Sequence, residues 1–148
     1  MKELKEILFG VNIDSVYGDT NLSISGISFD SRQIKQNNIF IAISGYDLDG
    51  HNYIDQSINN GASVVVCEKL PQKINEYEIV FIKVKCSKTA LYTISSNFYG
   101  NPSSKIDLIG VTGTNGKTTI TSLLYKLFNN QGIKSGLIST ISLSLIHI

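Results

Sequence analysis

The residues of this chain best equipped for chemistry stand together in G-V-T-G-T-N-G-K-T-T, Gly110 to Thr119. Glycine lets a backbone approach an anion closely. The amides of Gly113, Thr114, Asn115 and Gly116, and those opening a following helix, would then point at a phosphate. Lys117 supplies a mobile cation for the terminal phosphates of a nucleoside triphosphate. The hydroxyls of Thr118 and Thr119 follow, and that of Thr118 is placed to ligate Mg²⁺. Gly113 to Thr119 are therefore the candidate nucleotide contacts, Lys117 the candidate catalytic residue and Thr118 the candidate metal ligand.

The strict phosphate-loop pattern wants glycine where Val111 stands, so this loop is a variant with Gly110, Gly113 and Gly116 at intervals of three. A glycine-rich turn that binds nothing would explain the glycines. It would not explain Lys117 at the head of a helix, where a cation opposes the helix dipole unless an anion sits there.

Such a loop needs a strand before it and a helix behind it. The apolar run Ile106 to Val111 predicts a short buried strand. From Lys117 onward, Ile120, Leu123, Leu124, Leu127 and Phe128 recur at helical spacing. Ile133 to Thr140 predicts a second strand, completing one βαβ unit. Upstream, helical and extended patterns alternate, which is the α/β signature. Lys2 to Phe9 predicts a short helix closed by Gly10. Ser23 to Phe29 alternates as a half-buried strand with Ile and Phe inward. Ile39 to Ile43, Ala62 to Cys67 and Ile79 to Val84 predict three further strands. Tyr53 to Asn60 predicts a helix stopped by Gly61. Ser87 to Tyr99 predicts another, with Ser87 as N-cap and Ala90, Leu91, Ile94 and Phe98 inward. Pro102 ends that helix and marks a boundary, giving units 1–102 and 103–148.

A loop after a buried strand is where α/β proteins usually bind ligands. Ser31, following the strand that ends at Phe29, has a hydroxyl to donate to a uracil or pyrophosphate oxygen, and Phe29 offers an apolar wall for a base. Asp30-Ser31-Arg32 also has the composition of a plain polar turn in which Asp30 bonds its own backbone. Asp49-Gly50 is a common turn pair, and His51 reads as a capping or packing residue without a catalytic role. Tyr92, Phe98 and Tyr99 read as packing residues.

Taken together, G-V-T-G-T-N-G-K-T-T, F-D-S-R at 29–32, I-F-I-A-I-S-G-Y-D-L-D-G-H-N-Y-I at 39–54 and N-F-Y-G-N-P-S at 97–103 resemble the Mur ligases, the ATP-dependent enzymes that build the peptidoglycan peptide. The Asp-Ser-Arg and Asp-Gly-His motifs are most similar to the branch that adds a third residue to UDP-N-acetylmuramoyl-L-alanyl-D-glutamate. The resemblance runs from about Leu4 to Thr140 and covers only the opening part of a full-length enzyme. It implies a small mixed α/β uridine-nucleotide domain over 1–102, then the first βαβ unit of a P-loop ATPase domain over 103–148. It also places the UDP moiety on Tyr46, Asp47 and Leu48, beside Phe29 and Ser31. The implied reaction joins a diamino acid, with meso-diaminopimelate favoured, to the UDP-linked dipeptide through an acyl phosphate, using ATP and Mg²⁺. The further Mg²⁺ ligands, the modified lysine and the amino-acid-binding domain would lie downstream, so the 148 residues are expected to be inactive alone.

Composition fits this reading. The net charge of +1 makes no case for nucleic acid or a membrane surface, and the apolar runs are too short to span a bilayer. Cys67 and Cys86 lack metal-ligand spacing, and Cys67, among valines, reads as a buried thiol. A reduced, cytoplasmic monomer is expected. The tail Leu143 to Ile148 is expected to be non-native, because one frame of a transposon-end sequencing adapter encodes Leu-Ser-Leu-Ile-His-Ile; the alternative is a diverged strand. Other functions remain open: a D-alanyl-D-alanine-adding ligase or folylpolyglutamate synthetase, or a non-catalytic UDP-sugar-binding module. A small P-loop kinase or GTPase fits less well, since its phosphate loop would lie near the N-terminus.

Overall fold

The computed structural model describes residues 1–45, 48–72, 74–140 and 143–145, with backbone only at 75 and 143–145. It divides into two compact units, Met1–Ile106 and Asp107–Ile148.

The first unit is built on continuous apolar strands. Strand β1 (Lys2–Glu3) leads into a one-turn helix α1 (Leu4–Ile7). Strands β2 (Ile13–Tyr17), β3 (Ser23–Ile24), β4 (Gly26–Ser28) and β5 (Asn38–Ile41) follow. Then come helix α2 (Ile54–Asn59), strands β6 (Ala62–Cys67) and β7 (Val80–Val84), and helix α3 (Ser87–Phe98). The main sheet has the order β2-β7-β6-β5-β4. β4 to β7 run parallel, and β2 closes one edge antiparallel to β7. A parallel sheet covered on both faces needs apolar residues on both, which is why β5 to β7 are apolar except at Asn38, Ser63 and Lys83. Their alternation divides the core in two. Ile39, Ile41, Val64, Val66, Ile82 and Val84 meet Leu4, Ile7, Ala90 and Ile94 on one face. Phe40, Val65, Cys67 and Phe81 meet Ile34 and Ile54 on the other. Asn97 ties the helices of the first face together: its Nδ2 donates to the carbonyls of Ile7 (2.9 Å) and Phe9 (2.7 Å).

Several sequence expectations change here. Ser23 to Phe29 is two short strands rather than one. Ser25 leaves the ladder because its amide donates to the Asn37 carbonyl and its hydroxyl to the Gln36 carbonyl and Asn38 Oδ1. Phe29 does not point inward; it is 64% exposed. Strand β2 was not expected from sequence, because Asp14 and Ser15 interrupt its apolar pattern at a register shift. Ser87 is not the N-cap of α3. Cys86 holds that position, and the amide of Ser87 is satisfied from outside by Glu68 Oε1 at 2.8 Å. Of the three aromatic packing residues, only Phe98 packs against the core; Tyr92 and Tyr99 are exposed.

The second unit contains helix α4 (Lys117–Asn130) and the antiparallel pair β8 (Gly136–Ile138) and β9 (Leu143–Leu145). The helix falls where its spacing predicts, but Ile120, Leu123 and Leu127 stay exposed. The expected strand Ile106–Val111 makes no ladder, and Ile106, Leu108 and Ile109 are exposed. A parallel strand of this kind needs neighbours at its edges and cover on its faces, and this unit describes one helix and one short ribbon. The second expected strand is confined to Gly136–Ile138. Of the tail at Leu143 to Ile148, expected to be non-native, 143–145 form β9 and 146–148 lie outside the described residues.

Candidate functional site

The loop at 110–116 is exposed except at half-buried Val111 and leads directly into α4. Gly116 occupies the N-cap position with φ +78°, a left-handed conformation that side chains resist, while its carbonyl accepts the first helical bond from Ile120 at 2.9 Å. No side chain caps the helix and its first turn holds no acid. The amides at its N-terminus are therefore left for an external acceptor, at the end of the dipole that favours anions. Lys117 folds back over the loop, its Nζ donating to the carbonyls of Gly113 and Thr114, the latter at 3.3 Å. Thr118 is half-buried, and its hydroxyl makes no hydrogen bond among the described residues. Thr114, Asn115 and Thr119 are exposed. Backbone amides, one lysine and a threonine hydroxyl form a donor set suited to a polyphosphate with a hard cation such as Mg²⁺.

In the first unit, the ends of parallel strands β4 to β7 gather a second group of polar residues. Asp30 begins a short 3₁₀ turn after β4. Its Oδ1 accepts from the backbone amide of Arg32 at 3.0 Å, and the guanidinium of Arg32 grips both carboxylate oxygens at 2.9 and 2.8 Å. That pairing holds the Asp30 carboxyl below the usual carboxylate range. The plain polar-turn reading of Asp30-Ser31-Arg32 thus describes its geometry. Ser31 is buried, its hydroxyl donating to Gln56 Oε1 at 2.7 Å and its carbonyl accepting from Asn60 Nδ2 at 2.9 Å. Its hydroxyl must leave Gln56 before it can donate to a ligand.

After β5 the same device recurs. Asp49 Oδ1 accepts from the His51 amide at 3.0 Å, from the His51 ring at 2.6 Å and from the Ser44 hydroxyl at 3.1 Å. Those donors, the His51 amide foremost, lower the Asp49 carboxyl to about 2. The far side of the ring accepts from the amides of Glu68 (3.0 Å) and Lys69 (3.3 Å), just past β6. Because Nε2 accepts, the proton of the neutral ring sits on Nδ1. Leu48 is 66% exposed, and its carbonyl closes a turn with the Gly45 amide at 2.9 Å. Tyr46 and Asp47 lie outside the described residues. The sheet topology therefore brings Phe29, Ser31 and Leu48 to one edge, and the Gly113–Thr119 loop belongs to the other unit.

Sequence reasoning missed Gln56, Glu68 and Lys69 as partners at this edge. The available signal was the repeated Asp-x-Arg and Asp-x-His spacing after consecutive strands, which marks two like turns.

Residues 23–99, just over half of the chain, match the family described as Mur ligase family, catalytic domain, and residues 111–145 match the Mur ligase middle domain. The chain belongs to the Mur ligase family. A UDP-N-acetylmuramoyl-L-alanyl-D-glutamate--2,6-diaminopimelate ligase from Phocaeicola vulgatus is 46% identical over 139 residues, covering 94% of this chain and 28% of that protein. The chain thus spans just over a quarter of the length of that relative. A solved structure of a UDP-N-acetylmuramoyl-L-alanyl-D-glutamate--2,6-diaminopimelate ligase superposes with a TM-score of 0.67 at 24% identity, over 99% of this chain and 29% of that one, a likeness of fold. The MurF ligase from Thermotoga maritima, solved with ADP, gives 0.53 at 28% identity, over 71% of this chain and 23% of that one. The mixed α/β fold implied by the resemblance is the one observed. Among the described residues, no helix is long and apolar enough to cross a membrane.

Proposed function

We propose that this Mur ligase chain belongs to a cytoplasmic enzyme that forms an amide bond between a diamino acid, meso-diaminopimelate, and UDP-N-acetylmuramoyl-L-alanyl-D-glutamate at the expense of ATP. The observation that carries the ATP half is the uncapped, acid-free N-terminus of α4 behind the Gly113–Lys117 turn. The substrate half rests on 46% identity to a diaminopimelate ligase over 139 residues, 94% of this chain.

In this reading, residues 1–102 hold the uridine nucleotide and residues 103–148 open the ATP-binding domain. Phe29 and Leu48 offer apolar surface to the uracil and sugar, Ser31 supplies a hydroxyl, and the family resemblance assigns Tyr46 and Asp47 to the UDP contacts. In the second domain, the amides of Gly113 to Gly116 and of Thr118 and Thr119 bind the phosphates. Lys117 exchanges its loop carbonyls for phosphate oxygens, and Thr118 offers its hydroxyl to Mg²⁺, which neutralises phosphate charge when bound.

The reaction then balances as two displacements. An oxygen of the D-glutamate side-chain carboxylate attacks the γ-phosphorus of ATP, and ADP leaves. The free amine of the diamino acid attacks the resulting acyl carbon, losing a proton as inorganic phosphate departs. Such phosphoryl transfer depends on positioning and charge neutralisation, the tasks assigned here to Lys117 and the loop amides.

The test is product identification with the full-length protein. Incubation with ATP, the UDP-linked dipeptide and meso-diaminopimelate is expected to give the UDP-linked tripeptide by mass spectrometry. Absence of that tripeptide, or amide formation only when the UDP-linked tripeptide and D-alanyl-D-alanine are supplied instead, would refute the assignment.

A further inference from the structure

The geometry points to His51 as a positioning residue that fixes the Asp49–His51 turn after β5 against the end of β6, and so sets the seat of the UDP-bearing substrate. This inference rests on reading that sheet edge as the substrate site.

Three segments meet at this ring. On one side, Nδ1–H donates to Asp49 Oδ1 at 2.6 Å, and the same oxygen accepts from Ser44, at the start of the loop. On the other, Nε2 accepts the amides of Glu68 and Lys69, which follow β6. Glu68 then passes the connection to the start of α3, where Oε1 accepts the Ser87 amide at 2.8 Å. The His51 side chain is only 9% exposed, so each of its nitrogens must find its partner within the protein. The other described bonds here are local: Gly45 to the Leu48 carbonyl and Gly50 to the Ile43 carbonyl, both at 2.9 Å, Ser44 to Asp49 Oδ1 and Asn52 to the Asp49 carbonyl, both at 3.1 Å. Without the imidazole, nothing described joins this loop to the β6 end. A turn held by local bonds alone samples more conformations, and the entropy of ordering it must then be met when a ligand binds.

The arrangement demands a group that donates on one side and accepts on the other. Leucine fills the space but does neither. Glutamine can donate to Asp49 and accept from Glu68 through its amide, so it is the conservative replacement.

The experiment compares the 148-residue chain with its His51→Leu and His51→Gln variants. Long-range ¹H–¹⁵N correlation of the wild-type ring is expected to show protonated Nδ1 and bare Nε2; the opposite tautomer would overturn the inference. Amide exchange at Gly45 and Gly50 is expected to speed up by about tenfold or more in His51→Leu, with Val65 in β6 unchanged, and to return to within about threefold of wild type in His51→Gln. Unchanged exchange at both glycines, or a glutamine variant no better than leucine, would overturn it. Affinity for UDP-N-acetylmuramoyl-L-alanyl-D-glutamate, read by calorimetry, is expected to fall about tenfold in His51→Leu. A wild-type chain that ignores this probe would refute the substrate reading, while the tautomer and exchange data still decide the positioning role.

Discussion

His51 closes a ring on Asp49: one carboxylate oxygen accepts both the backbone amide and the imidazole of the residue two positions on. Asp30 does the same with Arg32 at the end of the neighbouring parallel strand. In both turns a side chain supplies the acceptor that the backbone lacks as it leaves the sheet. The Asp49 turn carries a pH signature. Its carboxyl is lowered to about 2, so it contributes stability above the ordinary carboxylate range and loses it as pH falls toward 2. Asp49→Ala is expected to cost about 1 kcal/mol at neutral pH. In urea unfolding, the gap between wild type and variant should shrink between about pH 4 and pH 2. A gap independent of pH would contradict the assignment.

Gly61 joins α2 to β6 with φ +109°, and a Cβ there would stand 2.9 Å from the backbone nitrogen and Cα of Gln36. Strain and collision act together, and the obstacle includes main chain. Gly61→Ala is expected to lower stability by at least about 2 kcal/mol, measured by the shift in denaturant midpoint. A change within about 0.5 kcal/mol would show that the β5–α2–β6 crossover is looser than described.

At the start of α3, Glu68 caps the Ser87 amide, while the Ser87 hydroxyl is buried without a partner among the described residues. Glu68→Ala should therefore destabilise by about 1 kcal/mol. Ser87→Ala should be neutral or stabilising, because it removes an unpaired buried polar group. Thermal unfolding should show a loss for Glu68→Ala and none for Ser87→Ala if the external cap is real, and a loss for Ser87→Ala if Ser87 is itself the cap.

The two thiols should differ sharply toward alkylation. Burial among the β6 valines pushes Cys67 up to about 11, whereas hydrogen bonds from Thr89 lower Cys86, which is exposed. The thiolate is the reactive form. Mass mapping after brief iodoacetamide treatment at neutral pH should find the label on Cys86, with Cys67 reacting only in denaturant. Equal labelling in the native state would contradict the packing of that face.

These features differ in how far sequence reveals them. Ala62–Cys67 was legible to the residue, because a strand buried on both faces is apolar nearly throughout, here at all but Ser63. Helix α4 and its glycine turn were legible for a related reason: local spacing and the need for a left-handed N-cap are written in adjacent residues. Strand β2 was hidden by Asp14 and Ser15, since an edge strand with a register shift tolerates polar residues. The cap of α3 was hidden differently, because Glu68 lies 19 residues before Ser87 in the chain. Phe29 was misjudged because alternation through Ser25 presumed a strand that the Asn37 carbonyl and Asn38 side chain divide. The inward strand at 106–111 failed since apolar content alone does not supply neighbours. At the candidate sites, motif spacing singles out the positions proposed here, whereas the partners Gln56 and Lys69 come from tertiary packing.

The central claim is that one protein couples the Gly113–Thr119 loop to a UDP-peptide substrate for amide formation. Its most direct test measures phosphate release from ATP by the full-length protein, with and without UDP-N-acetylmuramoyl-L-alanyl-D-glutamate and meso-diaminopimelate, for wild type and Lys117→Ala. Release is expected only with both substrates present, with one phosphate per amide formed and a loss of at least about 10³-fold in Lys117→Ala. Substrate-independent release, or turnover undiminished by Lys117→Ala, would contradict the account.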